Sequence, residues 1–165
     1  MSLVAPRTIT PSAEDVPDVD DGGEKVTAGV FWPEIVLSDA RKEMRITGTV
    51  TTSRLKHVVI EAVGHAADQL DTWRIEQQNA GLASLYTVPA MEINGQSAKV
   101  YRWRRAVYSI ARALLIETFR DVDTTGDAGE KKAAALASQA NDHWRDARWA
   151  ISDIRGEVRN SAEAF

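Results

Sequence analysis

The chain has 165 residues, a formal net charge of −4, 44% hydrophobic and 27% charged side chains, and no cysteine. These values fit one ordinary soluble domain and exclude disulfides, a thiolate nucleophile and a sulfur-ligated zinc site; the acidic balance argues against a nucleic-acid binder, which shows a basic bias. No run approaches the ~18 apolar residues of a membrane span and MSLVAPRTITP lacks an apolar signal core, so a cytoplasmic protein with no membrane partner is expected.

Residues 1–33 read as an extended N-terminal arm. They hold Pro6, Pro11, Pro17 and Pro33, the acidic cluster Glu14, Asp15, Asp18, Asp20 and Asp21, and the pair Gly22-Gly23. Such a segment buries too little apolar surface to offset its ordering entropy. Phe31 and Trp32 beside Pro33 need a surface to lie on, either this domain or a neighbour, and are carried as candidate anchors for a neighbouring subunit or partner.

From Ser38 onward the pattern is helical. Ser38 is placed as the cap of a short helix with Leu37, Ala40 and Met44 as its apolar contacts, ending at Thr47-Gly48. Thr51 or Thr52 then caps a long helix to about Asn79-Ala80. Its stripe is Leu55, Val58, Val59, Ala62, Val63, Ala66, Leu70 and Trp73. Gly81 stands where a left-handed C-terminal cap is expected. Residues 82–95 contain Pro89 and the turn signal Asn94-Gly95, and no sheet is assigned to them.

The next helix runs from near Ser97 to about Phe119. One stripe holds Val100, Trp103, Val107, Ile110, Ala111 and Leu114, and a second row holds Tyr101, Tyr108, Leu115 and Phe119. More than half of its circumference is apolar, which places it centrally. Asp121–Gly129 reads as an acidic loop. The last helix, Ala128–Gly156, carries Ala133, Leu136, Ala137, Ala140, Trp144, Ala147, Ile151 and Ile154 on one stripe. Trp149 lies almost opposite, among Asp142, Arg145, Asp146 and Asp153. Trp144 is therefore expected in the core and Trp149 at an interface. The fold expected is all-α: a helical bundle of three long helices and one short helix over residues 34–156, with the arm before it and a short C-terminal tail, 157–165, ending in Phe165.

No catalytic constellation is visible. His57 and His65 sit two turns apart on one helix and His143 has only aspartates near it in sequence, so all three read as structural histidines. The nucleophile-elbow, Walker A and dinucleotide fingerprints do not occur. Residues 121–132 place Asp121, Asp123 and Gly126 as in a calcium loop, but Thr125 and Lys132 stand at the fifth and twelfth positions, where an oxygen ligand and a bidentate glutamate are needed. No catalytic residue, metal or cofactor is assigned, and an enzyme is not expected. Arg102, Arg105 and Arg112 line one edge of the Ser97–Phe119 helix, while Arg104 is placed toward its apolar side. That edge is either a solvated face or an interface, where arginine is enriched. The candidate interface residues are Phe31, Trp32, Arg102, Arg105, Arg112, Arg145, Trp149 and Phe165.

The succession VFWPEIVLSDARKEMRI, INGQSAKVYRWRRAVYSIARALLIETFRDVDTTGDAGEKKA and HWRDARWAISDIRG resembles the phage head completion protein L family, over nearly all of residues 30–156. Asn94-Gly95 with Ser97 and Lys99-Val100, Arg105-Ala106-Val107, Lys131-Lys132-Ala133, Trp144-Arg145-Asp146 and Arg148-Trp149-Ala150 carry it in order. The resemblance implies an adaptor of contractile-tailed phages. It would bind the portal ring after DNA packaging, stabilise the filled head and present the tail-attachment surface at the virion neck, after assembly in the host cytoplasm. Its implied partners are the portal protein, a tail-terminator or tail-completion protein, and itself. The implied assembly is a twelvefold ring on the portal whose lumen packaged DNA crosses without sequence-specific binding. The free chain is expected to be a monomer or weak oligomer, with arm and tail ordering on assembly. The alternative is a small helical DNA-binding regulatory protein using the arginine stripe, against which stand Tyr101, Trp103, Tyr108 and Phe119 on the same helix.

Overall fold

The computed structural model describes residues 21–120 and 127–158. Among these, the elements in order are β1 (Lys25–Val26), β2 (Ile35–Val36), α1 (Leu37–Glu43), α2 (Thr52–Gln69), α3 (Asp71–Asn79), β3 (Glu92–Ile93), β4 (Gln96–Ser97), α4 (Ala98–Arg120) and α5 (Asp127–Arg155). The fold is thus mostly helical, but it is not a plain bundle of three long helices and one short. Among the described residues it has five α-helices and two short antiparallel hairpins, β1 with β2 and β3 with β4.

Helix α4 is central, as its wide apolar surface requires. Val100, Trp103, Ala106, Val107, Ile110 and Ala111 are fully buried, with α2 against one side and α5 against another. α5 runs antiparallel to α4 and packs through small residues, Ala140, Ala147 and Ala150, with Ile151 and Ile154 beyond them. The C-terminus of α5 is tied down by Lys99, whose Nζ donates to the Ile154 carbonyl at 2.5 Å, a cation placed where the helix dipole favours one. Trp144 is half-buried at the edge of the core; its Nε1 donates to Glu117 at 2.8 Å.

The expected long helix over 52–80 is two helices. Leu70 leaves helical geometry (φ −102°, ψ 3°), closing α2 with its N–H on the Ala67 carbonyl and starting α3. Leu70 is fully buried, so the break lets the chain anchor there and still swing Trp73 to within 6.2 Å of Phe31. Thr51 caps α2, accepting the Arg54 N–H. Gly81, at φ 89°, closes α3 in a Schellman turn, with its own N–H on Gln78 and that of Leu82 on Gln77, both 3.0 Å. Ser38 is no cap: α1 begins one residue earlier, straight out of β2, and the Leu37 N–H is satisfied by the Glu24 carbonyl at 3.0 Å. Asn94 and Gly95, at φ 52° and 74°, form the two-residue turn of the β3–β4 hairpin, where no sheet was expected.

The largest correction concerns residues 21–33, which are part of the domain rather than an arm beside it. Phe31 and Trp32 are 3% and 6% exposed. Trp32 stacks on Trp103 with ring centroids 4.3 Å apart and planes within 10°, and the Trp103 Nε1–H donates to the Pro33 carbonyl at 3.0 Å. The two aromatics have found their surface inside their own chain, so they are not partner anchors. At the head of the segment, buried Asp21 accepts from Arg41 at 2.6 to 3.0 Å and from the Thr52 hydroxyl at 2.8 Å. The Arg41 guanidinium holds the Asp21 carboxyl below the ordinary carboxylate range, against an opposing push from burial. Residues 1–20 of the expected arm, most of the calcium-like loop and Phe165 lie outside the described residues.

Candidate functional site

One groove of about 900 Å³ opens on the side of α4 away from its buried stripe. At 100° per residue, Tyr101, Arg104, Arg105, Tyr108 and Arg112 fall within an arc of about 100°, and these, with Ser109 beside them, are the α4 residues that floor it. The end of α1 makes one wall with Asp39, Lys42 and Glu43, and the turn beyond it adds Met44 and Arg45. Arg45 is left-handed (φ 52°), which closes α1 with the Ile46 N–H on the Arg41 carbonyl at 2.9 Å and brings the chain round the rim. His143 and Asp146 of α5 make the other wall.

The groove is cationic. Lys42, Arg45, Arg104, Arg105 and Arg112 face Asp39, Glu43 and Asp146, in a chain whose net charge is −4. Burial pushes the Tyr108 phenol up to about 12, with Arg104 opposing, so it stays a neutral hydrogen-bonding group. Burial, then the Arg112 charge, lower the His143 pKa below its ordinary value, which keeps a further cation off this wall near neutrality. Guanidinium groups and phenols over a concavity bind other surfaces through hydrogen bonds and buried area. Among the described residues no group of three His, Asp or Glu side chains is placed to hold a metal ion.

The expected interface residues do not share one place. Arg105 and Arg112 line the groove, Arg105 with its Nη2 3.8 Å from Asp146. Arg102 is turned to the end of α5, donating to the Asp153 carbonyl at 3.4 Å. Arg145 pairs with Asp142 at 2.9 Å and lies 5.1 Å over the ring of Trp149, which is half-buried. Of the groove residues only Arg105 and Arg112 are among the expected interface residues; Tyr101, Arg104, Tyr108 and Lys42 are not. The helical period carried the signal for the first three, because Tyr101, Arg104 and Tyr108 follow at i, i+3 and i+7 beside Arg105 and Arg112. Arg104, expected toward the apolar side, faces the groove and donates to Gln96 at 3.1 Å.

No helix of the described residues is long and apolar enough to cross a membrane. The sequence profile of the family described as phage head completion protein (GPL) matches residues 26–165. The head completion/stabilization protein of Escherichia phage P2 is 32% identical over 163 residues, covering 96% of each chain. No solved structure matches.

Proposed function

We infer a place at the portal vertex for this chain, which belongs to the phage head completion protein family and is therefore a structural protein of phage assembly, not an enzyme. In this reading it binds the portal ring once DNA is packaged, stabilises the filled head and presents the surface that a tail-terminator or tail-completion protein meets. It acts as a ring, twelvefold on the portal, at the virion neck, and packaged DNA crosses the lumen without sequence-specific contacts. The observation that carries this is the match along nearly the whole chain to a relative named for completing and stabilising heads. The groove agrees with it, because tyrosine and arginine are the side chains that dominate protein interfaces.

The DNA-binding regulator is the weaker reading. Arg102 and Arg105 are held at Asp153 and Asp146 of α5, and the groove in which Arg104, Arg105 and Arg112 lie is also lined by Asp39, Glu43 and Asp146, so the helix does not present an uninterrupted basic face to DNA. The experiment is to package heads without this chain, then add the purified protein. Nuclease-resistant DNA and tail joining should both return on addition. Heads that hold DNA and join tails equally well without the chain would overturn the reading.

A further inference from the structure

Two surfaces of the domain are open to solvent, and they lie on different sides of it. α4 turns Val100, Trp103, Val107 and Ile110 into the core, on the side that α2 packs against, and Tyr101, Arg104, Tyr108 and Arg112 into the groove on its far side. α2 buries Leu55, Val59, Ala62 and Ala66, so its exposed row of Arg54, His57, Ile60, Glu61, Gly64 and Asp68 faces away from the groove. That row has an apolar middle: Ile60 is 47% exposed and Gly64 offers no side chain. Glu61 and Asp68 flank it, both exposed. An apolar centre with a charged rim is the anatomy of a protein interface.

We propose that the groove of one copy seats the α2 face of the next copy, head to tail. The inference rests on the ring reading and names the two surfaces that make it. The first argument is charge. The groove has a surplus of cations, and the α2 row, with Glu61 and Asp68 against Arg54, a surplus of carboxylate, so groove against groove brings like charges together, whereas groove against row is complementary. The second is direction. Complementary patches on different sides of one chain give a heterologous contact that repeats, and such a contact closes into a ring when the rotation per subunit allows. The third is composition, since Tyr101, Tyr108 and Arg104 supply the aromatic and guanidinium anchors that the apolar middle of the row would cover.

The chain has no cysteine, so engineered thiols report without interference. His57→Cys marks the exposed row, and Ser109→Cys marks the groove with the change of one atom. Heads are completed with the doubly substituted chain, treated with a short bis-maleimide and run on a denaturing gel. A ladder of multiples from the double variant is expected, with no ladder from either single variant. Dimers from one single variant alone would mean a symmetric contact and overturn the pairing. So would a link from Ser109→Cys to a different polypeptide. An amine-reactive linker on the same heads separates the two levels: amine-linked multiples without a thiol ladder overturn the pairing and leave the ring, while a single copy per head overturns both. A charge exchange gives a second readout. Arg104→Glu with Arg105→Glu, or Glu61→Arg with Asp68→Arg, should each lower head completion at least tenfold. All four in one chain should restore it to within about threefold of the original, and failure of that restoration would also count against the pairing.

Discussion

The two faces of α4 invite comparison, because one helix carries both. Its inner face is sealed: Trp103 is wholly buried, stacked on Trp32 and hydrogen-bonded to the Pro33 carbonyl. Its outer face, one half-turn away, carries Tyr101, Arg104, Arg105, Tyr108 and Arg112 into an open groove. A side chain on the first face supports the fold through area removed from water. Those on the second, apart from Tyr108, which packs against the core, are free of that duty and available to meet another surface. Substitutions on the two faces should therefore separate into those that unfold the chain and those that leave it folded but unable to assemble.

The largest effect is expected at the stack. Trp103→Ala should cost about 3–5 kcal/mol, read as a fall in the urea midpoint, and Trp32→Ala should approach it although Trp32 stands seventy-one residues earlier. A Trp32→Ala chain as stable as the original would show that the segment at 21–33 is an appendage after all. Next comes Asp21→Asn, which leaves the guanidinium of Arg41 without its buried carboxylate and should cost about 3 kcal/mol or more. Because the folded Asp21 carboxyl titrates below its unfolded value, its contribution is fully present above about pH 4 and is lost as pH falls from there toward the depressed native value. The Asn variant should show a shallower loss of stability in that acid window, measurable by denaturant midpoints taken from pH 5 downward.

Helix ends come lower on the scale. Thr51→Ala removes the cap of α2 and should cost about 1 kcal/mol; Gly81→Ala, which forces a side chain into φ 89°, should cost about 1 kcal/mol as well. Both should leave head completion unchanged at temperatures where the protein is folded. The smallest change in stability belongs to the groove. Arg105→Ala loses an exposed ion pair with Asp146 and should shift unfolding by no more than about 0.5 kcal/mol.

The sealed face was legible from sequence and the open one only half so. The stripes Val100–Ile110 and Ala140–Ile154 keep the helical period, and the caps at Thr51 and Gly81 are local chemistry that short windows reveal. The break at Leu70 is different in kind. Leu70 and Trp73 fit the same period on either side of it, so nothing local marks the interruption, which follows from where Trp73 must go to meet Phe31. Residues 21–33 misled for a related reason. Proline, glycine and acid in that stretch read as an arm, while the contacts that fix it, Asp21 to Arg41 and Trp32 to Trp103, span twenty and seventy-one residues and leave no periodic trace. The groove needs α1 set against α4 before Lys42, Arg104 and Tyr108 share a wall and a floor, so the arginine edge was visible but its neighbours were not.

The central claim is that the outer face of α4 serves assembly and not the fold. The most direct measurement takes Arg104→Glu with Arg105→Glu in one chain, establishes that it is folded by its unfolding midpoint, and adds it to DNA-filled heads that lack the protein. The fraction of DNA left after nuclease treatment is then compared with heads given the original chain. A folded variant that leaves the DNA unprotected is the predicted result; protection equal to that given by the original chain would contradict the account.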